Sequence, residues 1–293
     1  MSDLDATRSF GADIVLSLSC PDRAGIVAAV AQFIASRDGL ITEAAHFVDD
    51  YSQRSFMRTR FRSGPNQTLA DLRSAFADVA EPLNMDWDML SADARCRVLV
   101  AVSKQGHCLN SLLHRWSIDA LPIEITGVVS NHRTHERMVG WFGVPFFHLP
   151  LENDNKAAQE RQLLKIFDES ESDLLVLARY MQILSAEACN RLAGSCINIH
   201  HSFLPGFKGA RPYHQAYTRG VKIIGATAHY VTPDLDEGPI IEQGVERVDH
   251  TMSPKDLIEI GHDLESVVLN RAVRWHAEHR VFESRGRTVV LRS

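Results

Sequence analysis

The 293-residue chain has no apolar run approaching the ~20 residues of a membrane span, and its start, MSDLDATRSFGAD, carries no apolar core of signal-peptide length. A cytoplasmic protein is the expectation. Excess positive charge is missing too: 31 Lys and Arg against 37 Asp and Glu leave a net charge of −6. Non-specific nucleic-acid binding needs a concentrated basic surface, so that class is disfavoured. Cysteine is scarce. The five present (Cys20, Cys96, Cys108, Cys189, Cys196) are odd in number and form no C-x-x-C pair, which reads as reduced, mostly buried thiols rather than a disulfide framework or a nucleophile. Repeats and low-complexity segments are absent. What is there is the balance of an ordinary enzyme, 45% hydrophobic and 23% charged, in a chain long enough for two domains.

Periodicity divides the chain near Ser91–Arg95, giving an expected first domain over 10–92 and a second over 95–293. In the first, DIVLSLSC (13–20) alternates as a half-buried strand does, and IVAAVAQFIAS (26–36) has helical spacing with Gly39 as a stop. Strands follow at 41–49 and 53–62. Thr68 then caps a helix to about Val79, with Asp71 three residues on, and a last strand lies near 84–90. The order βαββαβ is that of a small ferredoxin-like module.

The second domain alternates strand and helix, as a Rossmann-like, mostly parallel α/β sheet requires. Strands are expected at 97–103, 124–130, 145–149, 174–178, 196–200 and 223–231, with helices at about 107–117, 133–142, 157–169, 185–193 and 212–219. A long terminal helix starts at Ser253-Pro254, an N-cap with proline at the first helical position. Leu257, Ile260, Leu264, Val267, Val268 and Trp275 are read as its apolar stripe.

Chemistry concentrates at strand ends, where open α/β sheets bind ligands. In INIHHSFLPG, Asn198 and His200 are two apart on a strand and share one face. An amide donor beside an imidazole suits an oxyanion developing on an attacked carbonyl. Taken alone, such a pair is more often structural. In TAHYVTPDLDEGPII (227–241), a strand runs into an acidic, proline-rich turn. A carboxylate there returns to Asn198 and His200 if the two strand ends lie together; the plain alternative is a solvated turn. In LARYMQILS (177–185), Met181, Ile183 and Leu184 follow a strand end and are placed to line a pocket for a flat ring, or else form an apolar elbow into the next helix.

Together, INIHHSFLPGFKGARPYHQAY and IIGATAHYVTPDLDEGPIIEQ resemble the folate-dependent formyltransferase-type hydrolases and transferases, most closely the formyltetrahydrofolate deformylase family. That family joins an N-terminal ACT domain to this catalytic domain, so the resemblance covers essentially the whole chain. It implies Asn198, His200 and Asp236 as catalytic residues and 10-formyltetrahydrofolate as substrate, with no tightly bound cofactor and no metal. Met181, Ile183, Leu184, Val231, Leu235 and Gly238 are then expected to bind substrate, and His229, on the strand leading to Asp236, is expected behind the catalytic set. The expected reaction has water, positioned by Asp236, attacking the formyl carbon while Asn198 and a protonated His200 hold the oxyanion, and formate and tetrahydrofolate leaving. The resemblance further implies that the formate supplies purine biosynthesis and that the reaction balances one-carbon folate pools.

The acceptor is the main alternative, since relatives transfer formyl groups to amines and use a glycine-rich phosphate turn after the first strand. Here that stretch is Ser103-Lys104-Gln105-Gly106-His107-Cys108-Leu109-Asn110, which keeps one glycine and resembles the deformylases instead. A metallohydrolase is disfavoured because no H-E-x-x-H or Cys/His ligand spacing exists and adjacent His200 and His201 project to opposite faces of a strand. His201, Arg211 and His214 are taken as packing or loop residues. SCPDRAGI (19–26) resembles the first turn of ACT domains, with Gly25 allowing a tight turn. That resemblance makes Asp22 and Gly25 candidates for binding amino-acid effectors such as methionine or glycine, and implies a homo-oligomer. The other reading is a domain that only oligomerises, and a folate or amino-acid sensor without turnover is disfavoured by the intact acid/base set.

Overall fold

A computed structural model of the chain describes residues 10–151, 155–206 and 212–292. Arg211 therefore lies outside the described residues. The chain forms two compact units, with a seam between Ala94 and Arg95. Residues 279–285 and 289–292 cluster with the first unit, a difference from the expected second domain over 95–293.

The first unit is built from β1 (Asp13–Pro21), α1 (Ile26–Ala35), β2 (Leu40–Asp49), β3 (Arg54–Arg62), α2 (Leu69–Ala80) and β4 (Asp86–Ser91). Its four strands make an antiparallel sheet in the order β2-β3-β1-β4. Ile14, Leu16 and Leu18 of β1 are buried against Val30, Phe33 and Ile34 of α1 and Leu72 and Phe76 of α2, so the period-2 strand pattern meets two period-3.6 stripes. Thr68 accepts the Asp71 amide at 3.1 Å and its hydroxyl donates to the Asp71 carboxylate at 2.6 Å, closing the start of α2. Gly25 sits at φ 98°, a left-handed conformation open to glycine, directly before α1.

The second unit contains β5 (Cys96–Val102), α3 (His107–Ser117), β6 (Ile123–Ser130), α4 (Glu136–Trp141), β7 (Phe146–His148), α5 (Lys156–Glu169), β8 (Leu174–Leu177), α6 (Ala186–Arg191), β9 (Cys196–His200), α7 (Pro212–Arg219), β10 (Ile223–Tyr230), β11 (Ile240–Arg247) and α8 (Pro254–Ala277); β12 (Val281–Ser284) and β13 (Arg287–Val290) form a terminal hairpin. The large sheet runs β11-β10-β9-β8-β5-β6-β7. The five strands from β9 to β7 are parallel, while β10 and β11 are antiparallel additions. Residues 98–102 of β5 and 174–176 of β8 are fully buried, as the near-continuous apolar runs of central parallel strands demand.

The burial of α8 differs from the expected stripe. Its buried positions include Leu257, Gly261, Glu265, Val268, Leu269, Ala272 and Val273, while Val267 is exposed and Ile260 and Trp275 are only half-buried. The helix turns a small residue and a carboxylate inward because α8 packs on α3 and α7 as well as on β9, β10 and β11. Ser253 opens it with a complete capping box to Asp256.

Candidate active site

Asn198 and His200 occupy the last turns of the pleat in β9, and the antiparallel partner β10 sets His229 opposite Asn198 and Thr227 opposite His200. A bulge between Ala228 and His229 on the β11 side re-aims the strand at this point. The expectation that two strand ends place Asp236 beside His200 is corrected here. Because β10 is antiparallel, its end at Tyr230 pairs with Ile197, near the beginning of β9. It is the following turn, residues 231–239, that folds back to bring Asp236 Oδ1 within 3.1 Å of His200 Nδ1. Asp236 adopts φ 58°, which a short polar side chain tolerates better than most. Gly238 serves the turn differently from the substrate contact expected of it. A Cβ there would stand 1.8 Å from the Tyr230 carbonyl oxygen, so only glycine lets the two backbone segments meet, and Gly238 is not among the residues lining the pocket.

The hydrogen bonds fix the protonation of His229. Its Nδ1 faces the Tyr230 carbonyl at 2.8 Å, so that nitrogen carries the proton and donates. Nε2 is then the acceptor, and the Asn198 amide nitrogen donates to it at 3.2 Å. Burial lowers the pKa of His229, which keeps the ring neutral. This orients Asn198 with its nitrogen inward and leaves a second N–H for another acceptor. Asp236 stands between the imidazoles, 3.8 Å from His229 Nε2 as well as 3.1 Å from His200. The hydrogen bond from His200 is the main reason its carboxyl is held below the usual carboxylate range. His229 thus orients Asn198, lies near Asp236 and also lines the pocket.

These residues line a pocket of about 640 Å³. Met181, Ile183, Leu184, Val231 and Leu235 line it, as do Cys189 and Pro233, which the sequence reading did not single out. Met181, Ile183 and Leu235 are more than half exposed, the condition of apolar side chains awaiting a partner.

Gln105, Arg179, His201, Tyr213, His214 and His262 also line the pocket, and none of them was chosen from sequence. His201 does not oppose His200. Its ring stacks on the His200 ring at 5.0 Å between centroids and 16° between planes. The strand ends at His200, so the alternation that would turn the next side chain away no longer applies. Arg179 follows the end of β8 in a left-handed conformation, φ 63°. It donates to Gln105 Oε1 at 2.9 and 2.6 Å, to His201 Nδ1, and lies 3.4 Å from Glu265. Glu265 is fully buried on α8 and also meets His107 at 2.8 Å and the Tyr213 hydroxyl at 2.6 Å. Burial alone would push its carboxyl up, but the His107 bond, the Arg179 charge and the Tyr213 hydroxyl hold it below the usual range. His107, Cys108 and Glu265 bring three donor atoms within 4.8 Å of one another. Both Glu265 oxygens are engaged, by His107 and the Tyr213 hydroxyl, so these residues form part of an ionic network. A buried glutamate in a helical stripe is the one signal that would have revealed it.

In the first unit, Asp22 accepts the Ser55 hydroxyl at 2.6 Å, and both Asp22 and Gly25 are exposed. All five cysteines are free thiols, and burial pushes Cys96 up to about 12. Among the described residues, no helix is long and apolar enough to cross a membrane.

The comparisons place the second unit in a formyl-transferring class of α/β domain. The formyl transferase family model matches residues 96–273, and a glycinamide ribonucleotide transformylase from Symbiobacterium toebii superposes with a TM-score of 0.64 at 28% identity, over 68% of this chain and 95% of its own. Whole-chain comparison is narrower. A formyltetrahydrofolate deformylase from Corynebacterium sp. (strain P-1) is 50% identical over 95% of this chain and 98% of its own length. The crystal structure of the formyltetrahydrofolate deformylase from Burkholderia mallei superposes with a TM-score of 0.90 at 50% identity, over 95% and 99% of the two chains. The chain belongs to the formyltetrahydrofolate deformylase family.

Proposed function

We propose that the chain is a hydrolase that converts 10-formyltetrahydrofolate and water to formate and tetrahydrofolate. The observation that carries the site assignment is the convergence of Asn198, His200 and Asp236 on one pocket that also presents apolar side chains. The pterin ring fits against Met181, Ile183, Leu184, Val231 and Leu235, and the formyl carbonyl points at the spare Asn198 N–H and at His200. Asp236, ionised at neutral pH, binds the water and takes its proton as the oxygen attacks the formyl carbon. Asn198 and His200 donate to the resulting oxyanion. When the carbon–N10 bond breaks, N10 receives the proton that Asp236 had accepted, and formic acid departs and ionises to formate, releasing its proton to solvent.

Water is the acceptor favoured here, because the segment that would hold the phosphate of an amine substrate is committed elsewhere. Gly106 packs so closely on His135 that a Cβ would lie 2.4 Å from the ring, and His107 is turned inward to Glu265. The first unit, with its βαββαβ order, is proposed as an ACT-type domain that brings copies of the chain together and takes small amino acids near Asp22 and Gly25. The formate is proposed to supply purine biosynthesis.

Asn198→Ala tests the oxyanion assignment. Removing one donor of this kind costs about 10²–10³ in turnover. The expected result is a kcat lowered by that factor with KM moved much less, in steady-state formate release. A variant that keeps most of the wild-type kcat removes Asn198 from the mechanism.

A further inference from the structure

The catalytic assignment leaves unused a second imidazole in direct contact with His200. His201 Nδ1 receives an N–H of Arg179. A guanidinium donates and never accepts, and it keeps its charge at all working pH values. Nδ1 must therefore be the bare nitrogen, which puts the single ring proton on Nε2 and leaves the ring neutral. Protonating Nδ1 would break that bond and face a new cation towards the guanidinium. Arg179 is not free to move aside. Gln105 Oε1 holds its Nε and an NH2 group at 2.9 and 2.6 Å, and Glu265 lies 3.4 Å from Nε while being fixed in turn by His107 and Tyr213.

The ring held in this way is stacked on His200, at 5.0 Å and 16°. A positive charge at that position would disfavour a proton on His200 and compete for Asp236, whose carboxyl lies close enough to feel His201. Among the described residues, the ionisable groups that face His201 are Arg179 after β8, His200 on β9, Tyr213 on α7 at 6.3 Å between rings and Asp236 in the 231–239 turn. Glu265 and His107 stand behind Arg179, and His214 and His262 line the same pocket.

We propose that Arg179 is a positioning residue: braced by Gln105 and Glu265, it keeps His201 as a neutral imidazole stacked on His200, so that the catalytic pair His200–Asp236 works without a competing cation beside it. The consequence for turnover rests on the assignment of His200 made above, whereas the state of His201 does not.

The test reads the ring directly. Full-length protein carrying ¹⁵N-histidine is titrated between about pH 5.5 and 8.5, and the His201 signals are assigned by their loss in His201→Phe. The expected wild-type pattern is a protonated Nε2 and a bare Nδ1 throughout. In Arg179→Gln, the same ring should gain a titration within this range. The kcat profile of that variant should gain an acid limb, falling about tenfold per pH unit below the midpoint of that titration, with KM changed less. Adding His201→Phe to Arg179→Gln should abolish the extra limb. A His201 that titrates in the wild-type protein, or that carries its proton on Nδ1, overturns the proposal even when Arg179→Gln does not fold. An unchanged profile in a folded Arg179→Gln overturns it as well. Failure of the deformylase reading looks different: no formate is released, while the His201 spectrum stays as expected.

Discussion

Asp236→Asn should slow formate release by about 10²–10⁴, the usual loss when an acid/base group is removed, while binding of the folate stays within a few fold. The substitution is close to isosteric, and asparagine tolerates the left-handed backbone conformation that Asp236 adopts. The turn that carries Leu235 into the pocket should therefore persist. What is lost is the one carboxylate between His200 and His229, and with it the acceptor for the proton of the attacking water. The His200 hydrogen bond is the main reason that the Asp236 carboxyl is held below the usual carboxylate range. Its base form is then fully present above about pH 4, the ordinary aspartate value, and is lost only as pH falls through its lower folded value. The pH profile of kcat/KM should show no Asp236 limb in mildly acidic solution. A profile of wild-type rate and shape in Asp236→Asn would take the residue out of the reaction.

Glu265→Ala should cost about 3–5 kcal/mol of folding stability, the range for breaking a buried ion pair from one side. Glu265 is fully buried and Arg179 only 8% exposed, so solvent screens little of the charge left behind. The same truncation leaves the Tyr213 hydroxyl and His107 without their acceptor. The dependence on pH follows from a folded-state value lowered against the competing effect of burial. A depressed carboxylate stabilises the fold above its unfolded value of about 4.3, and that contribution disappears as pH falls through the folded value. Urea unfolding of the two proteins should therefore differ most at neutral pH and converge in acid. A difference below 1 kcal/mol at pH 7 would mean that the network is relaxed or hydrated rather than tightly closed.

The parts of this molecule that were legible in its sequence are those set by local rules. Alternation in 13–20 and helical spacing in 26–36 mark β1 and α1, and Ser253-Pro254 marks the start of α8. The i, i+2 spacing of Asn198 and His200 puts them on one face because both lie within β9. Local rules stop where tertiary contacts take over. The alternation rule misplaced His201 because the strand had already ended. The direction of β10 is not written in its own residues, so the route by which Asp236 returns came out differently from the expectation. The least legible element is the Gln105–Arg179–Glu265–His107–Tyr213 network. Its members come from the ends of β5 and β8 and from α3, α7 and α8, and only the folded chain brings them together. Reading α8 as a purely apolar stripe hid Glu265, although a charged residue four positions from Gly261 and eight from Leu257 sits squarely on the buried face.

The most direct test is formate release from 10-formyltetrahydrofolate by purified protein, with a chelator present and no amine acceptor. Multiple turnovers, with tetrahydrofolate appearing in equal amount, are expected. Formate that appears only after a metal ion is restored, or formyl transfer that begins only when an amine is supplied, would contradict a hydrolysis carried by Asn198, His200 and Asp236.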